Sequence, residues 1–184
     1  MMKFLERNNI LTDFQHGFRA KRSTETQLLL TTNDIAKQLD QNKTVSMAMI
    51  LDFSKAFDKV PHQRLLSKLH AYGIDGDLLN WLASFLKDLT QRVVCDGAIS
   101  DSKQVLSGVP QGTVLGPLLF LLYVNDIPDN IKSTVRLFAD DCLVYKTVDN
   151  PSDQKILQND LNQLELWQNK WQMNFNPSKC YILS

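Results

Sequence analysis

Apolar residues recur at helical spacing from Ser23 to Asp40, through Leu28, Ile35, Ala36 and Leu39, with Ser23 or Thr24 placed to cap the first turn. Val45–Phe53 reads VSMAMILDF, a β-leaning run too apolar for a strand with a solvated face. It predicts a buried strand with Asp52 at its end. Pro61 opens a short helix that runs through Ala71 and closes at Gly73. Asp77–Leu89 makes another, with Leu78, Leu79, Leu82, Phe85 and Leu86 turned inward. Two strands follow, near Gln91–Asp96 and Lys103–Leu106. Gly116–Ile127 starts with Pro117 and is apolar on nearly every side, the pattern of a helix buried against a sheet. Val135–Ala139 (VRLFA) and Cys142–Val148 (CLVYKTV) are both strand-like, and only Asp140 and Asp141 part them, the spacing of a two-residue hairpin. Asn150 caps and Pro151 opens a last helix whose Leu157, Leu161, Leu164, Trp167 and Trp171 step by four, three, three and four. A strand at Cys180–Leu183 follows.

With 184 residues, 43% of them hydrophobic and 22% charged, the chain has enough apolar material for a folded core. No Gly, Ser or Pro linker, internal repeat or low-complexity segment divides it, so one unit is expected. Twenty basic residues balance twenty acidic ones, which excludes binding to nucleic acid through bulk positive charge and leaves only local contacts. Cys95, Cys142 and Cys180 are odd in number, far apart and in no C-x-x-C pair, so neither a disulfide framework nor a zinc knuckle is expected, and a reducing compartment fits. Met1–Ile10 carries Lys3, Glu6 and Arg7 with no apolar stretch behind it, and the longest apolar run, Leu118–Val124, has seven residues. A membrane span needs about 20, so a soluble chain is the expectation.

Two aspartates in a tight turn can be turn formers and nothing more, since Asp tolerates left-handed backbone and caps local amides. A third carboxylate changes the weight of that pair. Asp52 lies 88 residues before Asp140 at the end of another buried strand, and neighbouring strands can bring such ends together across a sheet. Phosphoryl transfer with two divalent cations needs oxygen ligands that hold the ions about 4 Å apart, one activating the attacking hydroxyl and one shielding the leaving oxygen. Strand-end carboxylates have that rigidity, although Asp52 can equally cap the next turn. Arg19, Lys21 and Arg22 gather three positive charges with no acid between Gln15 and Thr24, suited either to phosphate oxygens or to a solvated surface. In Ser107–Gly112, two glycines and Pro110 make a bent backbone that a base or sugar can approach closely, with Gln111 as its polar side chain.

Four of these segments together resemble a known family. LDFSKAFDKVPH (Leu51–His62), SGVPQGTVLGPLLF (Ser107–Phe120) and FADD (Phe138–Asp141) resemble, in order and spacing, motifs A, B and C of the reverse transcriptases of non-LTR (LINE-type) retrotransposons. QHGFRAKRST (Gln15–Thr24) is similar to the fingers motif of that group and of its group II intron relatives. The resemblance runs over residues 14–182. It implies an α+β fold, the palm and fingers of a polymerase right hand with a mostly antiparallel sheet backed by helices. Residues 1–44 would be part of the fingers, and residues 45–184 mainly palm with inserted fingers elements.

By the same resemblance Asp52 and Asp140 bind two Mg²⁺ ions, or Mn²⁺, with Asp141 in a secondary role. The turn Phe53, Ser54, Lys55 and Ala56 receives the triphosphate of a deoxynucleotide, and Phe57 blocks a ribose 2′-hydroxyl. Pro110, Gln111 and Gly112 contact template and nucleotide. Arg19 and Arg22 meet the triphosphate or the template backbone, with Lys21 beside them on the template. Lys179, in Asn176-Pro177-Ser178-Lys179, resembles the motif D lysine that protonates the leaving pyrophosphate. Asp58 and His62 match the pattern too but are read as structural: Asp58 as a cap for the helix that Pro61 opens, His62 as packing or touching backbone. The implied partners are an RNA template, a DNA primer and a deoxynucleoside triphosphate, with no membrane, and by analogy the nucleus and cytoplasm as location.

The chain ends at Ser184 inside an expected strand, without a primer-grip hairpin or thumb and without an upstream endonuclease, so weak, distributive activity or none is expected from it alone. A truncated, inactive fragment that at most binds nucleic acid is the alternative reading. A two-metal phosphatase or nuclease would satisfy the carboxylates but would leave Phe57 and the Ser107–Gly112 loop without a purpose.

Overall fold

The structure, a computed structural model, describes residues 1–40 and 48–183. Helix α1 (Met2–Arg7) precedes α2 (Thr24–Asp40), whose start is fixed by a reciprocal cap: Ser23 Oγ accepts from Thr26 N–H at 3.2 Å and Thr26 Oγ1 accepts from Ser23 N–H at 2.9 Å. Strand β1 (Ala48–Leu51) ends just before Asp52, as its apolar run predicts; positions 45–47 of the expected strand lie outside the described residues. A single 3₁₀ turn (Ala56–Lys59) leads into α3 (His62–Ala71) and α4 (Gly76–Lys87). Four two-residue strands follow, β2 (Thr90–Gln91), β3 (Val94–Cys95), β4 (Ala98–Ile99) and β5 (Lys103–Gln104), then α5 (Leu115–Val124). The chain closes with β6 (Thr134–Phe138), β7 (Asp141–Tyr145), α6 (Pro151–Trp171) and β8 (Tyr181–Leu183).

These elements form two compact units, residues 1–54 with 124–184 and residues 55–123. The first is built on a four-stranded antiparallel sheet in the order β6-β7-β1-β8. One face of that sheet carries Met49, Leu51, Val135, Leu137, Cys142 and Val144, all buried. Helix α6 lies along this face: Leu157 shares a crevice with Met49, and the Trp167 ring is 6.0 Å from that of Phe53. Asn150 caps α6 as expected, its side chain accepting from the N–H groups of Ser152 and Asp153. Each buried Leu on such a stripe contributes about 1.5–3 kcal/mol.

Helix α2 departs from its pattern. Leu28, expected to face a core, is 64% exposed and borders an open groove with Phe138, Asp141 and Leu143. Helical periodicity fixes the face on which a residue lies, not what covers that face.

In the second unit, Leu82 and Leu86 of α4 are buried as expected, whereas Leu78 is 43% exposed. The expected strand pair is four short strands: β2 pairs with β5, and β3 with β4 across Asp96-Gly97. Both turn residues have positive φ, 50° and 80°, the geometry that Asp-Gly favours. Helix α5 is buried on all sides from Leu119 to Tyr123, each at most 1% exposed, while Leu115, Pro117 and Leu118 in its first turn are half-buried.

Candidate active site

Strand register sets the acidic corner. Leu51 pairs with Cys142, so Asp52, one step beyond the end of β1, faces Asp141 at the start of β7. The two are near enough for the charge of Asp52 to act on the Asp141 carboxyl. Phe138 pairs with Asp141, which makes Ala139-Asp140 the two-residue turn. The expected turn, Asp140-Asp141, is thus corrected by one residue: Asp141 belongs to the ladder, and Ala139 takes the left-handed position at φ 53°. Because Cys142 is in the core, Asp141 points from the opposite face of the sheet.

Electrostatics couple the three carboxylates. Burial, followed by the negative charges of Asp140 and Asp52, pushes the Asp141 carboxyl above its usual range, while Lys179 pulls it down. Lys179 Nζ sits 2.9 Å from Asp52 Oδ2, and that hydrogen bond and charge raise the ammonium's own pKa. Among the described residues no three His, Cys, Asp or Glu side chains gather tightly enough to close around an ion. The donors are nevertheless all hard carboxylate oxygens in mutual repulsion, with a cation already drawn to one of them, and such a set fits a hard divalent ion.

Lys179 reaches Asp52 through a bulge. Ile50 pairs with Tyr181, yet Phe53 bridges Phe175, with the two rings stacked at 4.6 Å. Between those points the register slips by three residues, and Pro177–Lys179 turns outward as a 3₁₀ turn. Asn176 N–H donates to the Asp52 carbonyl at 2.7 Å, and Ser54 N–H donates to the Asn174 carbonyl at 3.1 Å. Ser54's amide, expected among those receiving a triphosphate, therefore already has a backbone partner; Lys55 takes a left-handed conformation at φ 54°.

The basic cluster is mostly turned on its own loop. Arg19 Nη1 donates to the Thr12 carbonyl at 2.7 Å; Arg22 donates to the Gln15 carbonyl at 3.0 Å and to Asp13 Oδ1 at 2.6 Å. Arg19 and Arg22, expected at the triphosphate or the template backbone, thus already have partners on their own loop. Lys21 is exposed. The residue missed by sequence reasoning is Gln15, whose side chain bonds to both backbone groups of Ala139. No periodicity or spacing marks a glutamine for a partner 124 residues away.

In the second unit the Phe57 ring stacks on Phe120, with centroids 4.4 Å apart. Asp58 does not cap α3: its carboxylate accepts from Gln111 Nε2 at 3.3 Å and its carbonyl from Ser107 Oγ at 2.9 Å. His62 Nε2 meets the Gly108 carbonyl at 2.7 Å, so the expected backbone contact is present. Asp58 and His62 thus brace the loop that presents Pro110, Gln111 and Gly112.

An antiparallel sheet that sets a strand-end aspartate against an aspartate-bearing turn, with helices behind it, is a polymerase palm. The telomerase of Candida albicans, solved in complex with a TWJ fragment of telomeric RNA, shares the fold with a TM-score of 0.71 at 14% identity, over 100% of this chain and 34% of that one. A family model described as Reverse transcriptase (RNA-dependent DNA polymerase) matches residues 1–184, and the chain belongs to that family. The RNA-directed DNA polymerase from mobile element jockey of Drosophila melanogaster is 33% identical over 176 residues, covering 91% of this chain and 19% of that protein. The probable RNA-directed DNA polymerase from transposon X-element of the same species is 32% identical over 193 residues, covering 100% of this chain and 21% of that protein. The domain is of the non-LTR retrotransposon kind, and it spans about a fifth of the length of these relatives.

Proposed function

We propose that this chain carries the polymerising site of an RNA-directed DNA polymerase, acting within a longer protein that binds an RNA template and a DNA primer. The observation that carries this reading is the β1–β7 register, which sets Asp52 opposite Asp141 and beside the Asp140 turn. Asp52 and Asp140 would hold two Mg²⁺ or Mn²⁺ ions, with Asp141 secondary; when bound, these supply activation of the primer 3′-hydroxyl and neutralisation of the leaving oxygen. Lys179, carried by its bulge to Asp52, holds a proton at Nζ for the departing pyrophosphate. Phe57, backed by Phe120, presents a fixed ring to the sugar and excludes a 2′-hydroxyl. Gln111, Pro110 and Gly112 offer an amide and open backbone to the base pair. Lys21 meets template phosphates, and Arg19 and Arg22 shape the loop that bears it.

The test is primer extension by this chain on an RNA template with deoxynucleotides and Mg²⁺. Asp140→Asn should lower the extension rate by about 10³-fold, the several kcal/mol that such ions contribute, with the far-UV spectrum unchanged. Extension by Asp140→Asn at the wild-type rate would refute the site.

A further inference from the structure

Asp140 is only as well placed as the turn that carries it, and that turn begins at Ala139 in a conformation that L side chains rarely adopt. The β6–β7 ladder is complete from Thr134–Tyr145 to Phe138–Asp141, so strand pairing does not by itself dictate the peptide planes beyond it. They are gripped from outside the hairpin. Gln15 Oε1 accepts from Ala139 N–H at 2.9 Å, and Gln15 Nε2 donates to the Ala139 carbonyl at 3.1 Å, so one amide holds both sides of the residue preceding Asp140. The same oxygen accepts from Gly17 N–H at 2.7 Å.

Gln15 is 2% exposed and is itself held. Its segment runs beside the outer edge of β6, with Leu137 N–H donating to the Phe14 carbonyl and His16 N–H to the Leu137 carbonyl. A Cβ at position 17 would fall 2.2 Å from Ala139 N, so glycine is what lets this segment close on the turn. Arg22 secures the Gln15 carbonyl.

We infer that Gln15 is a positioning residue: its side-chain amide locks the Ala139-Asp140 turn, and with it the carboxylate of Asp140 relative to Asp52. The catalytic part of this inference rests on the polymerase reading above. A glutamate could replace only half of the grip, since a carboxylate accepts from Ala139 N–H but faces the carbonyl of the same residue with a lone pair.

Three variants of the full chain test it: Gln15→Ala, Gln15→Glu, and Gln15→Ala combined with Ala139→Gly. Two readouts are needed, amide hydrogen exchange and steady-state primer extension. In Gln15→Ala the Ala139 amide should lose about tenfold or more of its protection while the β6–β7 ladder amides keep theirs. The extension kcat should fall about 10²-fold, the usual cost of a displacement near 1 Å, with the deoxynucleotide KM changed less than about twofold. Gln15→Glu, which keeps volume and one acceptor, should fall between. Glycine at 139 adopts a positive φ unaided, so the double variant should recover about tenfold of the lost kcat.

Unchanged Ala139 protection in both single variants would overturn the clamp, as would equal loss of protection along β6 and β7. A kcat within about twofold of wild type despite a freed Ala139, or a double variant no faster than Gln15→Ala, would overturn its catalytic role. If the wild type extends no primer, the polymerase reading fails separately, and hydrogen exchange alone still decides whether Gln15 holds the turn.

Discussion

Asp160 on α6 is fully buried, and its carboxylate accepts three hydrogen bonds: from Lys132 N–H at 3.1 Å, Ser133 N–H at 2.8 Å and Ser133 Oγ at 2.6 Å. It therefore ties the helix behind the sheet to Ser133, the residue just before β6. In Asp160→Ala the Lys132 amide lies at an exposed residue where water can take over, but Ser133 is 7% exposed and leaves two donors unsatisfied. At about 1–3 kcal/mol each, the loss is roughly 2–6 kcal/mol. Alanine's better helix propensity returns about 0.7 kcal/mol, and removing a buried carboxylate returns some of its desolvation cost. The expected net destabilisation is about 3 kcal/mol, or a urea midpoint lower by about 1.5 M at a slope near 2 kcal/mol per M. Asp160→Asn keeps one acceptor oxygen and should lose about half of that. Ser133→Ala should cost less in the Asp160→Ala background than in the wild type, because its donors have then already lost their partner. The assay is urea unfolding followed by far-UV ellipticity. A loss below about 1 kcal/mol for Asp160→Ala would show that the carboxylate is not what anchors β6.

Phe57→Val should reduce the preference for deoxynucleotides over ribonucleotides by about tenfold or more, read as the ratio of kcat/KM values on one primed template. An unchanged ratio removes Phe57 from sugar selection. His16 is 6% exposed, and burial, then the positive charges of Arg22, Arg136 and Arg19, hold its pKa below the ordinary 6.5 against the opposing pull of Asp13. The folded chain thus takes up the proton less readily than the unfolded one. This contribution to stability is complete above pH 6.5 and declines as the pH falls through that value. His16→Gln should flatten the fall in Tm between about pH 7.5 and 5.5; identical slopes in the two proteins would exclude His16 as its source.

Much of this architecture is legible in the sequence because the signals are local. Asn150-Pro151, the Leu157–Trp171 stripe and the apolar run before Asp52 each encode an element through one periodicity or one cap. Asp96-Gly97 is equally local and marks a hairpin that the broader strand pattern obscures. What escapes the sequence is settled at a distance. Ala139, rather than Asp140, takes the first turn position because a side chain from residue 15 holds its backbone. Arg19 and Arg22 have the composition of a phosphate site, yet their guanidiniums meet carbonyls of their own loop first. Motif spacing picks out Asp52, Asp140 and Asp141, but the bulge that delivers Lys179 to Asp52 follows from a register slip that no residue pattern announces.

The sheet order has a consequence for how the molecule is made. Both neighbours of β1 come late: β7 ends at Tyr145 and β8 begins at Tyr181, whereas β1 is finished by Leu51. At roughly 5–20 residues per second, synthesis leaves β1 without either neighbour for about 5–20 seconds. The β6–β7 hairpin closes on itself as soon as it emerges, so it becomes the template onto which the waiting strand docks. Assembly of the carboxylate corner is thereby the event that joins Ala48–Leu51 to a strand made some ninety residues later, and a nascent chain that stalls before it leaves Met49 and Leu51 open to aggregation.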